Sequence, residues 1–255
     1  MLLLPIYTVA ANKKIDKYGL AMKLQNPVAN LISVPIQNNW DFGSGSTNAM
    51  NYRLNVQPII PISISNDWSL ITRTIIPINH VESQVEGGEN ISGLGDIVQS
   101  FFFSPKKSFG GLSMGGGPVF LYPIATENKL GGGKWGAGPT MVLLYQKNGW
   151  TYGVLANHIK SFAGTSNTEN VSATLVQPRL SYTTETYTTF GINPVLNYNW
   201  QQNQWNVPVT LSVSQLVKFG NQPLQFSFGG RYFPVKPNIA AEWGLSLGVT
   251  FIFPK

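Results

Sequence analysis

Only 11% of the 255 residues are charged, where a soluble domain carries about 25%, so much of the chain is kept from water. The net charge of +6 comes without a basic run interleaved with aromatics, which argues against a nucleic-acid interface. The absence of cysteine excludes disulfides, thiolate metal centres and a cysteine nucleophile.

The chain opens with residues 1–11, MLLLPIYTVAA, an apolar stretch ending in the small residues Val9, Ala10 and Ala11. That ending suits a signal-peptide remnant, though the basic leading region is missing. Residues 12–30 form an N-terminal segment, and from Lys14 to Ile32 the residues Tyr18, Leu20, Leu24, Val28 and Leu31 recur at near-helical spacing. Two readings fit it equally: a short helix, periplasmic or plugging a lumen, and a loose leader to the first strand. No stretch reaches the roughly 20 apolar residues of a membrane helix.

From residue 31 to 255 the sequence becomes short alternating segments separated by turn residues. They fall at 31–42, 50–63, 68–79, 95–104, 111–126, 135–146, 150–161, 170–183, 187–200, 205–218, 223–234 and 243–253. Most exceed the 5–6 residues of an average strand and match the roughly 9–11 that cross a bilayer. Phe190, Ile192, Leu196 and Tyr198 alternate with Gly191, Asn193, Asn197 and Asn199, and Leu224, Phe226, Phe228 and Tyr232 oppose Gln225, Ser227, Gly229 and Arg231. A period of two puts each set on one face of a sheet. In 95–104, Asp96 and Gln99 fall on opposite faces, which leaves that segment ambiguous.

Alternation alone fits a soluble sandwich as well as a membrane barrel. Three features favour the barrel. Connections alternate between tight turns such as Lys147-Asn148-Gly149 and longer loops such as 80–94, as in barrels with short periplasmic turns and long outer loops. Trp40, Trp68, Trp135, Trp150, Trp200, Trp205 and Trp243 all lie near segment ends, where an indole would join an aromatic belt between hydrocarbon and headgroups. The last segment carries Ser246, Gly248, Phe251 and Phe253, a pattern resembling the C-terminal signal read by barrel-assembly machinery, except that Pro254 and Lys255 follow. The expected fold is therefore all-β: a closed antiparallel transmembrane β-barrel of about twelve strands in the outer membrane of a bacterium. Pro35, Pro58, Pro61, Pro77, Pro118, Pro139, Pro178, Pro194 and Pro208 fall inside these segments. They mark either β-bulges at one level of the wall or strands broken by loops.

The run from Leu24 to Asn39 (LQNPVANLISVPIQNN), the run Gly93 to Ser100 (GLGDIVQS), Trp150 to Gly153 with Asn157-His158, and Gln177-Pro178 with Ser181 to Thr183 resemble the outer-membrane proteins named for the meta-pathway of phenol degradation. The likeness extends from about Leu20 onward. It implies a bacterial outer-membrane barrel that passes small molecules, aromatic or hydrophobic ones among them, and says little about chemistry.

Arg53, Arg73, Arg179 and Arg231 sit mid-segment. A lipid-facing Arg at mid-depth costs about 2–4 kcal/mol, so these four are expected to line the lumen with Asn55, Gln57, Gln177 and Gln225. His158 and Lys160 share a face with Tyr152 and are expected beside them. A basic lumen would favour anions or polar solutes; the alternative is an internal bonding network that merely fills the barrel. Glu82, Glu86 and Glu89 lack the alternating acids of a calcium loop, and the glycine runs 115–117 and 131–133 lack a phosphate-loop sequence. No nucleophile, base and orienting group can be named around His80 or His158, the two histidines. The expectation is a non-enzymatic barrel with no catalytic, metal or cofactor residue, passing small solutes through a polar, net-basic lumen. The alternative is a closed structural or adhesion-type barrel acting through its outer loops. Its partners would be outer-membrane lipid, the assembly machinery and a small solute.

Overall fold

The computed structural model describes residues 16–253. One helix, α1 (Lys17–Leu24), precedes fifteen strand segments. In chain order these are β1 (Ile32–Ser44), β2 (Ala49–Val56), β3 (Ile59–Ser63), β4 (Trp68–Val81), β5 (Ile91–Leu94), β6 (Ile97–Pro105), β7 (Leu112–Tyr122) and β8 (Lys134–Lys147). They continue with β9 (Trp150–Gly164), β10 (Ser172–Thr183), β11 (Thr188–Pro194), β12 (Leu196–Asn199), β13 (Gln204–Phe219), β14 (Gln222–Val235) and β15 (Trp243–Phe253). β2 with β3, β5 with β6, and β11 with β12 are halves of single staves, which makes twelve staves in all. Every pairing is antiparallel, and β15 pairs β1 from Ile32↔Phe253 to Phe42↔Trp243, closing the wall. Closure leaves no edge, so every stave can satisfy its backbone without water.

Prolines set the three interruptions. At each break an amide donates to the carbonyl of a proline on the neighbouring stave: Gln57 to Pro35 at 2.8 Å, Gly95 to Pro77 at 2.9 Å and Val195 to Pro208 at 2.9 Å. An antiparallel pair normally exchanges two such bonds. Proline has no N–H to return the second, so the ladder opens there. Only Pro208 lies at a register shift, between Val207 and Val209. Pro61, Pro118 and Pro178 stay in register on one side, opposite Ile71, Pro139 and Val154. Pairing lapses without a register shift on the β6 side of Pro118 and the β11–β12 side of Pro178, so a ring of proline bulges at one level is not what the wall contains.

The connections sort by end. One end carries 64–67, 106–111, 148–149, 184–187 and 220–221, and the other 45–48, 82–90, 123–133, 165–171, 200–203 and 236–242. The first of the second set is tighter than expected. Asn148 and Gly149 both have positive φ, 50° and 84°, as a two-residue hairpin that follows strand twist requires.

The outer face is apolar. Ile60, Ile62, Phe103, Met141, Phe190, Leu211, Phe228, Leu247 and Phe251 are exposed on it. Such a continuous belt would be unstable in water at about 25 cal/mol per Å² and fits a hydrocarbon layer. Aromatics flank the belt: Trp68 and Trp150 at the tight-turn end, Trp135, Trp200, Trp205 and Trp243 at the loop end. Several are paired, as in Phe42 with Trp243 and Trp150 with Tyr182. Trp40 lies against Tyr52.

The interior core is built on the N-terminal segment. Leu20, Ala21 and Leu31 pack with Leu216 of β13 and Ile252 of β15. Val28 packs with Ile71 of β4, Phe102 of β6, Val142 of β8 and Leu155 of β9. These partners come from all round the wall, so residues 16–31 lie within the barrel at its tight-turn half. This inward-packed segment is the barrel's plug. Residues 1–11, read as a signal remnant, lie outside the described residues.

Candidate functional site: the lumen and its plug

Parity decides what reaches the lumen. Ser33, Gln37, Asn39 and Asp41 of β1 share the inner face, as do Arg53 and Asn55 of β2, Arg73 and Asn79 of β4, Gln177 and Arg179 of β10, and Gln225 and Arg231 of β14.

The loop-end half holds one charged cluster. Arg231 Nε lies 2.9 Å from Asp41 Oδ1, and Arg231 Nη1 donates to Asn39 Oδ1 at 2.6 Å. Asn39 donates to the carbonyl of Arg53, whose Nε donates to Asn79 Oδ1 at 3.0 Å. Arg53 itself is exposed. Being on the inner face, it faces open space inside the mouth. Asp41, Asn39 and Asn79 were not singled out from the sequence. Asp41 closes the first alternating segment on the parity of Gln37 and Asn39, the one signal that could have found it.

The tight-turn half holds a second network around the plug. Ser246 Oγ accepts from Gln37, Gln37 Oε1 accepts from Gln57, and Gln57 Oε1 accepts from Arg73 at 2.8 Å. Arg179 donates to the carbonyl of Gln25, the C-cap of α1, at 3.2 Å. Gln146 of β8 donates to the carbonyl of Met22 at 2.8 Å, and Asn26 donates to Ser113 of β7 at 3.1 Å. These three bonds satisfy carbonyls and side chains at the end of the helix, which water would otherwise have to reach. The helix starts on Asp16, whose Oδ1 caps the Gly19 amide at 3.0 Å. Gln146 and Ser113 are further residues the sequence reading missed. Their parity on the inner face was legible, but not the plug they hold.

His158 and Lys160 are not in the lumen. In β9 the buried residues are Thr151, Leu155 and Ile159, while Trp150, Tyr152 and Lys160 are exposed. The face shared with Tyr152 is thus the outer one. His158 Nδ1 meets Thr174 Oγ1 at 2.8 Å, and that hydroxyl also accepts from Trp200 at 2.8 Å. Near the loop end the outer wall enters the headgroup zone, where polar and aromatic side chains are stable outside, so polarity there does not indicate the lumen. Gln99 likewise points outward, bonded to Thr74 and to Tyr122. Such outward polar groups occur in bonded sets, as a low-dielectric surrounding requires.

Asp96, at the break between β5 and β6, accepts from the amides of Ala125 at 3.2 Å and Gly132 at 2.7 Å. Its carboxylate therefore anchors the 123–133 loop. Of the last-strand residues, Ser246 faces in, while Phe251 and Phe253 are exposed on the outer wall. A Cβ on Gly248 would collide with Ser227.

Closed wall, lipid belt and aromatic girdles define an outer-membrane β-barrel of twelve staves. No family model and no curated protein matches the chain. Solved structures do. An outer membrane channel from Pseudomonas putida F1 superposes with a TM-score of 0.69 at 12% identity, covering 88% of this chain and 96% of that one. The NanC porin superposes at 0.56 and 11% identity, over 86% and 98%. Outer membrane phospholipase A from Escherichia coli superposes at 0.52 and 9% identity, over 91% and 97%. At these identities the likeness is one of fold.

Proposed function

We propose that this chain is an outer-membrane channel passing small solutes through a polar, net-basic lumen. One observation carries the reading: four inner-face arginines converge on a lumen in which Asp41 is the single carboxylate ion-paired to any of them, among the described residues. A wall of this charge, in a dielectric below that of water, attracts anions and polar solutes with local negative charge. The resemblance of the Leu24–Asn39 run to the phenol meta-pathway barrels adds aromatic and hydrophobic solutes to the candidates.

The test is conductance in planar bilayers. We expect small steady openings that prefer anions, and a clear shift toward cations when Arg53, exposed in the mouth, becomes Glu. Electrical silence of the wild type would favour the second reading, a closed barrel acting through its outer loops. The plug is what supports that second reading, because residues 16–31 fill the tight-turn half.

A hydrolase shares this fold, so chemistry must separate it from a channel. His80 Nδ1 and Ser92 Oγ meet at 2.6 Å. Among the described residues no side chain hydrogen-bonds the other ring nitrogen, so the orienting group of a catalytic triad is missing. His158 bonds a threonine rather than a serine. Both features support a non-enzymatic reading.

A further inference from the structure

Arg73 and Arg179 stand on the inner faces of β4 and β10, on opposite sides of the closed wall. Neither takes part in the two ion pairs found among the described residues, Arg231 with Asp41 and Lys236 with Glu242. Their acceptors are neutral: the Gln57 amide oxygen for one and the Gln25 carbonyl for the other. A guanidinium has five donors and binds a carboxylate through two parallel charge-assisted bonds, roughly twice as strong as neutral ones. Two such groups, deep in the lumen without a counter-ion, form an anion site filled by weak substitutes.

The substitute has a recognisable shape. Gln25 supplies an oxygen to Arg179, and three residues later Val28 fills an apolar hollow of Ile71, Phe102, Val142 and Leu155. Ile59 and Leu175 flank that hollow. Ile59 faces Arg73 in register, and Leu175 shares the inner face of β10 with Arg179. The segment thus offers an oxygen acceptor joined to a short apolar body, over at most about 10 Å of chain.

Resting on the channel reading, we propose that Arg73 and Arg179 bind a small organic anion, a carboxylate head on a short apolar body, and that Gln25 to Val28 occupies this site as a built-in competitor. Binding of the anion replaces the Gln25 carbonyl at Arg179 and Val28 in the hollow. That leaves this part of the segment hydrogen-bonded to the wall through Gln146 and Ser113.

The experiment is calorimetric titration of the full chain in detergent micelles with hexanoate, its neutral counterpart hexanamide, and acetate. Wild type is expected to bind hexanoate at least tenfold more tightly than either. Arg73→Gln and Arg179→Gln should each lose tenfold or more, while Lys160→Gln, on the outer wall, stays within twofold. Val28→Ala, which weakens the competitor, should bind hexanoate several-fold more tightly than wild type. Each variant is checked for heat-modifiable migration. Should Arg73→Gln not fold, Arg179→Lys, which keeps the charge and loses the fork, is expected to bind several-fold more weakly. Equal hexanoate binding in wild type and both Gln variants, or no preference over hexanamide, would overturn the proposal. Because binding in micelles needs no conduction, arginine-dependent binding with silent bilayers would sink the channel reading and leave this site standing.

Discussion

Arg231 is held by two partners of different kind, the carboxylate of Asp41 and the amide oxygen of Asn39. Both members of the ion pair are mostly buried in the wall of the mouth, with side-chain exposures of 15% and 17%. Removing the acid leaves the guanidinium with one neutral acceptor and partial access to lumen water. Asp41→Ala should therefore destabilise the barrel by about 1–3 kcal/mol, the cost of an unsatisfied buried polar group rather than of a fully buried charge. Urea unfolding in detergent, followed by tryptophan emission, reads that shift. A midpoint equal to wild type would show that water replaces the carboxylate without loss. The inner-face parity of the arginines was legible residue by residue, because three lie on the polar set of their segments and Arg73 on the less apolar set of its own. His158 was misplaced by the same rule, because the rule assumes that polar means inward. At the loop end the outer wall meets headgroups, and Thr174 with Trp200 satisfies the imidazole there.

At the scale of elements, the staves were readable from length and period. Of the two readings of the prolines, the one with broken strands holds at three staves. Which stave breaks was not legible, since each break depends on a proline in the stave beside it rather than in the broken one alone. The plug was half readable. Its helical spacing was visible, but whether the helix hangs free or enters the lumen depends on inner-face residues over a hundred positions away, such as Gln146 and Arg179. A Cβ on Gly115 of β7 would sit 3.1 Å from a Val28 methyl carbon, close to the spacing a disulfide spans. In this cysteine-free chain, Val28→Cys with Gly115→Cys should tether the segment to the wall. If the segment must shift for solutes to cross, oxidised channels will conduct several-fold less than the same channels after reduction. Equal conductance in the two states would mean that the path runs past a fixed plug.

For the whole molecule, what matters is which face of the closed sheet meets lipid. Leu211 is 61% exposed mid-strand in β13, and Ser212 beside it faces the lumen. Arg at Leu211 must lose its hydration or drag water into the hydrocarbon, about 2–4 kcal/mol at mid-depth. Leu211→Arg should reduce the folded fraction in lipid vesicles, read by heat-modifiable migration, far more than Ser212→Arg, whose side chain reaches lumen water. The reverse order would invert the barrel.

The sequence by itself determined the class of wall: low charge, a period of two and strands long enough for a bilayer force an apolar band around a polar inside, because side-chain period is a local property. Only the tertiary structure decided what fills that inside. Two arginines on opposite walls, a helix end between them and an apolar hollow for Val28 come together through barrel closure, which joins residues far apart in the chain and leaves no local trace of the joining.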